Sequence, residues 1–309
     1  MKIITKQDCS KLETLTTKRI KRPEWLKIRL NTNSEFQETG RLIEKQNLNT
    51  VCEEARCPNI YECWGRKTAT IMILGDVCTR ACGFCSVKTG KPTWNDPMEP
   101  VRTALAVKKM NLRHVVITSV DRDDIKEDYG STIWAETVKQ IHHHVHDCTV
   151  EVLTPDFKGD QSALLRVFSA KPEIFSHNVE CVERISKNVR NQADWNRSLN
   201  VLRFAVDEGM QTKTGMMVGL GETKDEVINT MKQVAGIGVS IFTIGQYLQP
   251  TNKHLPVDRY VSDAEFFNYK SIGYEFGFSV VESGSLVRSS YHADEQARLF
   301  NAKAKNNYE

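Results

Sequence analysis

The chain has 309 residues, 40% of them hydrophobic and 26% charged, with a net charge of +3. That is the composition of an ordinary soluble globular enzyme, and no apolar run approaches the roughly 18 residues that a membrane span requires. The charge is too small to argue for nucleic acid, and the length suits one large α/β domain with extensions, or two small domains.

Near the N-terminus Lys18, Arg19, Lys21, Arg22, Lys27 and Arg29 fall within a dozen positions. They read as a solvated arm or as a docking strip for an acidic partner. Asp8 and Glu13, with no arginine-rich amphipathic pattern, argue against a transit peptide and for a cytoplasmic protein. From residue 70 to residue 281 apolar runs alternate with helical patterns. Strands are expected at Thr70–Leu74, His114–Ser119, Thr149–Leu153, Glu173–Ser176, Lys213–Val218 and Ser240–Ile244. Helices are expected near Pro100–Met110, Thr132–His144, Ser162–Phe168, Ser198–Glu208, Thr223–Ala235 and Ser262–Phe276. Pro100 suits a first helical turn, Gly209 and Gly236 suit helix ends, and Thr223 with Glu226 forms a capping-box pattern. Successive β/α units predict an α/β fold, a partial (β/α)6 TIM-like barrel, with a flat doubly wound sheet as the alternative. Residues 1–65 and 282–309 are then extensions capping the barrel ends, around a barrel at 66–281.

Six of the nine cysteines form two triplets: Cys52, Cys57 and Cys63 as C-x4-C-x5-C, and Cys78, Cys82 and Cys85 as C-x3-C-x2-C. A cube of four irons and four sulfides needs one thiolate per iron, so three cysteines leave one iron open for chemistry. Structural zinc closes with four ligands, usually as two C-x2-C pairs or with histidines. Here the one such pair is Cys82/Cys85, and the histidine cluster His142, His143, His144 and His146 reads as the polar end of a helix. Disulfides fit poorly with an odd cysteine count and no secretory signal. Cys9, Cys148 and Cys181 match no ligand spacing; the last two suit small buried positions and Cys9 a mobile tail. The second triplet follows Gly75 in the loop Asp76–Lys88, where parallel β/α folds gather their chemistry.

This motif at the end of a first strand, with Phe84 before its last cysteine, resembles the radical S-adenosylmethionine superfamily. The resemblance implies a [4Fe–4S] cluster on Cys78, Cys82 and Cys85 whose open iron chelates S-adenosylmethionine, so that one electron cleaves its C–S bond to a hydrogen-abstracting radical. The stretch from Cys52 to Trp64 (C-E-E-A-R-C-P-N-I-Y-E-C-W), with T-S-V-D-R-D-D (Thr118–Asp124), F-S-H-N-V-E (Phe175–Glu180) and R-S-S-Y-H-A-D (Arg288–Asp294), is similar to the lipoyl synthase family. That likeness runs from about Lys21 to Arg298. It implies insertion of two sulfur atoms at C6 and C8 of an octanoyl chain on a carrier-protein lysine. The sulfur would come from a second, sacrificial [4Fe–4S] cluster on Cys52, Cys57 and Cys63, with Ser290, rather than Ser289, as its fourth ligand. Serine oxygen is a harder donor than thiolate and poorly matched to iron–sulfide, which suits a labile bond. Arg288 either helps hold the C-terminal segment over that cluster or makes a surface salt bridge. The implied partners are octanoylated lipoyl domains of 2-oxoacid dehydrogenase complexes or the glycine cleavage carrier protein, an electron donor such as ferredoxin or flavodoxin, and an iron–sulfur cluster carrier.

S-adenosylmethionine is expected across the strand ends. Candidate contacts are Ser119, Asp121, Glu151, Asn178, Glu180 and Lys213, each equally readable as a strand-end cap or local salt bridge. Gly219 and Gly221, in G-L-G-E ending at Glu222, would let the backbone approach the adenine. Met216, Met217 and Phe242 could line an apolar tunnel for the acyl chain, with core packing as their other reading.

Overall fold

The structure, a computed structural model, describes residues 20–27, 32–46, 48–65, 70–93 and 95–296. Its strands are β1 (Asn49–Thr50), β2 (Thr70–Ile73), β3 (Val77–Cys78), β4 (Lys88–Thr89), β5 (His114–Ser119), β6 (Thr149–Leu153), β7 (Ile174–Ser176), β8 (Thr212–Val218), β9 (Ile241–Gln246) and β10 (Val280–Gly284). Its helices are α1 (Ser34–Lys45), α2 (Val51–Glu54), α3 (Ile60–Gly65), α4 (Glu99–Lys109), α5 (Ser131–His144), α6 (Gln161–Ser169), α7 (Glu183–Val189), α8 (Trp195–Asp207), α9 (Lys224–Ile237) and α10 (Asp263–Glu275). One sheet runs β1-β2-β5-β6-β7-β8-β9-β10; only β1 is antiparallel to its neighbour. β1 and β10 are its two edges, so the curled sheet stays open. All six expected strands are present, and the partial barrel replaces the flat alternative.

Local signals explain the units. The strands are near-continuous apolar runs because helices cover their outer face and side chains fill their inner one. Pro100 sits in the first turn of α4, and Thr223 and Glu226 close a full capping box on α9. Gly236 is not the end of that helix. α9 runs on to Ile237 and stops at Gly238, whose φ of 98° is the left-handed cap that glycine takes without strain. Two apolar layers lie outside the sheet. One packs Ile71, Ile73, Ile117 and Val150 against α4–α6, and the other packs Val218, Phe242 and Ile244 against α7–α10. β10 adds a seventh parallel strand that the sequence reading did not include: the exit from α10 simply continues the right-handed β/α winding. Cys148 and Cys181 are buried, as expected, while Cys9, Lys18, Arg19 and Arg29 lie outside the described residues.

Candidate active site

β2 ends at Ile73, and Leu74 and Gly75 take φ of 67° and 86°, turning the chain sharply out of the sheet. Glu99, buried at the start of α4, accepts from the Leu74 amide at 2.7 Å and secures that turn. β3 and β4 then pair, Cys78 opposite Thr89, and Lys88 Nζ meets Asp76 Oδ2 at 2.6 Å, closing the neck of the cysteine loop. Within the loop Arg80 is buried and ion-pairs with Asp121 (3.2 Å), Asp123 (2.8 Å) and Asp156 (2.6 Å). A planar guanidinium forked across three carboxylates holds one loop geometry. Two backbone amides, of Arg80 and Asp121, donate to Cys78 Sγ at 3.4 Å. From the opposite side Leu255 N donates to the Gly83 carbonyl at 2.9 Å, and His254 Nε2 lies 2.9 Å from the Cys85 carbonyl. A Cβ at Gly83 would sit 2.9 Å from Leu255 Cγ, so any larger residue would have to push that side chain aside.

Cys52 lies on α2, Cys57 in the following turn and Cys63 on α3. After β10 the chain bends back as a strap that brings Ser289 to Asn178, just beyond β7, and Ser290 to Thr70, the first residue of β2. Several bonds hold it there. Asn59 Nδ2 donates to the Leu286 carbonyl (2.7 Å), Thr70 Oγ1 to Ser290 Oγ (2.7 Å), and Asn178 Nδ2 to Ser289 Oγ (2.6 Å). Tyr291 Oη donates to Glu62 Oε1 at 3.0 Å, and His292 Nε2 lies at the same distance from that oxygen. The strap can enter because β8 and β9 present glycines there. A Cβ on Gly245 would overlap the Val287 carbonyl oxygen, and one on Gly215 would strike Thr243 Oγ1 and stand 3.3 Å from Ser289 Oγ. A small cavity of about 40 Å³ is lined by Cys52, Cys57, Cys63, Arg288 and Ser290 together. Arg288 is half-buried, with its Nη1 on the Val287 carbonyl at 2.7 Å; desolvation pulls its guanidinium down while the nearby Cys57 thiol pulls it up.

A larger cavity of about 490 Å³ joins the two triplets: Cys52 and Cys57 line one part, and Cys78, Cys82 and Cys85 another. Ser119, Asp121, Asn178 and Glu180 are on its wall, as are Met216 and Met217. Burial pushes the Cys52 and Cys82 thiols up to about 12 and Cys78 to about 11, the last helped by the Asp121 charge. Burial likewise pushes Asp121 up to about 6 against the pull of Arg80. Thiols this hard to ionise become thiolates only with a cation beside them, as metal assembly supplies. Among the described residues no three His, Cys, Asp or Glu side chains converge as one metal ion requires. The three-thiol groups around open space suit a polynuclear cluster, and the buried Asn178 Oδ1 and His177 Nε2, which lack hydrogen-bond partners, suit a polar ligand beside it.

Four expected contacts stand elsewhere. Glu151 and Lys213 are fully buried and pair with each other at 2.9 Å, Glu151 from the middle of β6 and Lys213 from near the start of β8. Gly219 and Gly221 form a turn closed by Glu222, which accepts from the Gly219 and Leu220 amides at 2.6 and 2.9 Å. The space a side chain would need at Gly219 is filled by Gln246 and the Arg259 carbonyl, so its bareness serves packing within the protein. Phe242 is in the outer layer; strand alternation turns Thr243 and Gly245 toward the cavity instead. The sequence reading missed Arg80, Asp156, Thr70, Glu62 and His254. An arginine between cysteines with the aspartates of T-S-V-D-R-D-D downstream was the available signal for the first.

A β/α partial barrel whose first strand delivers a C-x3-C-x2-C loop to the mouth is the architecture of a radical S-adenosylmethionine enzyme, and a family model described as the radical SAM superfamily matches residues 72–234. Solved structures agree at the level of fold. Methylornithine synthase is 13% identical with a TM-score of 0.50, over 83% of this chain and 80% of that one. Streptococcus suis SuiB bound to its precursor peptide is 10% identical with a TM-score of 0.54, over 80% of this chain and 52% of that one. Superfamily membership brings S-adenosylmethionine and a [4Fe–4S] cluster with it. Within the superfamily the chain belongs to the lipoyl synthase family. The lipoyl synthase of Rubrobacter xylanophilus is 55% identical over 89% of this chain and 86% of its own length. The mitochondrial lipoyl synthase of Nematostella vectensis is 51% identical over 89% and 94%.

Proposed function

We propose that the chain inserts two sulfur atoms at C6 and C8 of a protein-bound octanoyl-lysine, taking them from a second [4Fe–4S] cluster held by Cys52, Cys57, Cys63 and Ser290. The observation that carries this reading is the strap: it sets Ser290 beside the first triplet, on a cavity shared with the second. The bound cofactors supply a hydrogen-abstracting radical and sulfide. Cys78, Cys82 and Cys85 hold the cluster that faces S-adenosylmethionine, with Arg80 fixing their loop. Ser119, Asp121, Asn178 and Glu180 bind the co-substrate's polar groups, and Glu151, Lys213, Gly219 and Gly221 support that wall from behind. Met216 and Met217 give the acyl chain an apolar surface. Arg288, half-buried beside Cys57, offsets negative charge on thiolates. Residues 1–65 form the extension with the sulfur-donor triplet, 66–281 the radical barrel and 282–309 the closing extension, β10 straddling that last border.

The substrate is an octanoylated lipoyl-carrier protein, either a lipoyl domain of a 2-oxoacid dehydrogenase complex or the glycine cleavage carrier. The reductant is a ferredoxin or flavodoxin, an iron–sulfur carrier rebuilds the consumed cluster, and the setting is the cytoplasm. No described helix is long and apolar enough to cross a membrane. Anaerobic reconstitution with iron and sulfide analysis, then a single turnover on an octanoyl-lysine peptide with dithionite, tests the proposal. Roughly eight irons per chain, twice one cluster's four, with 5′-deoxyadenosine and a thiolated peptide are expected. Four irons, or 5′-deoxyadenosine without thiolation, would overturn it.

A further inference from the structure

The strap presents two serines, and only Ser290 is accounted for above. Ser289 Oγ accepts from Asn178 Nδ2 at 2.6 Å, and the same amide group donates to Glu180 Oε1 at 3.1 Å. Asn178 and Glu180 share the cavity wall with Cys78, Cys82 and Cys85. One peptide unit further along, Ser290 Oγ accepts from Thr70 Oγ1 at 2.7 Å and lines the small cavity with the other three cysteines. Glu180, Asn178, Ser289 and Ser290 thus form a continuous chain of contacts from one triplet's side of the cavity to the other. The Asn178 Nδ2 group is what faces Glu180, while its Oδ1, on the Gly215 side, is buried without a hydrogen-bond partner, so the amide keeps an acceptor free for a ligand. Gly215 keeps the crossing open: a Cβ there would stand 3.1 Å from Asn178 Oδ1 and 3.3 Å from Ser289 Oγ.

We infer that Ser289 is a positioning residue: its bond to Asn178 sets how Ser290 faces the first triplet and makes that placement answer to occupancy beside Glu180. The inference rests on the proposed role of Ser290. A ligand that engages Asn178 reorients or stiffens its amide, the Ser289 hydroxyl follows, and the shared peptide unit carries the change to Ser290.

Hydrogen exchange across residues 285–296 in the reconstituted protein, with and without S-adenosylhomocysteine as an unreactive probe, tests this directly. The probe is expected to slow exchange of the strap in the unmodified protein by roughly fivefold, the factor that one hydrogen bond of about 1 kcal/mol represents. Ser289→Ala should lose that response, and Ser289→Thr, which keeps the hydroxyl, should retain it. Ser289→Val, matched in shape to the threonine variant, should behave like the alanine variant. In single turnovers the alanine and valine variants should carry wild-type iron yet yield about tenfold less thiolated peptide per 5′-deoxyadenosine, roughly 1.4 kcal/mol. A strap that responds equally in Ser289→Val, or not at all in the unmodified protein, would overturn the inference. Failure of the proposed function shows separately, as four irons in the unmodified protein.

Discussion

Replacing Gly245 with alanine is the sharpest single perturbation of the strap. A Cβ at that position overlaps the Val287 carbonyl oxygen and lies 3.0 Å from its carbon. The oxygen would have to retreat by more than about 1 Å to reach an ordinary C···O contact of about 3.3 Å. Both partners are backbone, but β9 is bonded to a strand on each side, whereas the strap has one backbone bond to β10, Val287 N to the Gly284 carbonyl, and otherwise side chains, so the strap moves. A shift of that size stretches the Thr70–Ser290 and Asn178–Ser289 bonds, now 2.7 and 2.6 Å, beyond hydrogen-bonding range. At about 1 kcal/mol each the loss is about 2 kcal/mol, in line with overpacking in general. Urea unfolding of the metal-free protein should show that loss. Iron analysis of the reconstituted protein should fall from roughly eight toward four per chain, because Ser290 leaves the first triplet while the Cys78 loop is untouched. Full iron content together with unchanged stability would refute the idea that the strap is seated in a glycine notch.

Gly83→Ala should cost about 1–3 kcal/mol through its contact with Leu255. Adding Leu255→Ala should recover part of that cost, as a double-mutant cycle by chemical denaturation would read; strictly additive effects would mean the two do not touch. Lys213→Met leaves the Glu151 carboxylate buried without its partner and should destabilise by about 3–5 kcal/mol, whereas Lys213→Met with Glu151→Leu should lose far less. Equal losses in single and double variants would argue against a closed pair. Burial holds the His177 imidazole down to about 4. The unfolded chain therefore takes up the proton first as pH falls, so this contribution to stability is complete above pH 6.5 and is lost between 6.5 and about 4. That difference, at about 1.36 kcal/mol per unit, is worth about 3 kcal/mol, and His177→Gln should flatten the stability–pH curve across that window.

Much of this fold is written locally. The barrel strands are apolar runs bounded by turn residues, and Thr223 announces its helix through its own cap, whereas the Asp194 cap that starts α8 at Trp195 went unread and that helix was expected only from Ser198. Errors arise where a tertiary contact decides. Gly236 resembles a helix stop, but Val234 on the inner face of α9 is packed into the core and the chain stays helical until Gly238 can reverse it. The two cysteine triplets were legible because ligand spacing is a local pattern, and T-S-V-D-R-D-D sat where it could reach them. The pairing of Glu151 with Lys213 was not, since the sequence of one strand does not reveal which side chain of another will face it. Nor could any spacing predict that Gly215 and Gly245, ordinary glycines in strands, make room for a segment arriving from beyond β10.

The distance along the chain between Thr70 and Ser290, 220 residues for one hydrogen bond, also has a meaning in time. At 5–20 residues per second a ribosome needs roughly 10–40 s to travel that far. On the ligand set proposed above, the first triplet spends that interval with three thiols and no fourth donor, while the Cys78 loop has all its own cysteines within a few residues. With that ligand set, synthesis imposes an order on metal loading, the Cys78 loop fillable early and the first triplet only at the end. A chain truncated before Arg288 would keep the machinery that generates radicals and lack the closed pocket that gives them a productive outlet. Placing the last ligand so late makes completion of the polypeptide a condition for arming its chemistry.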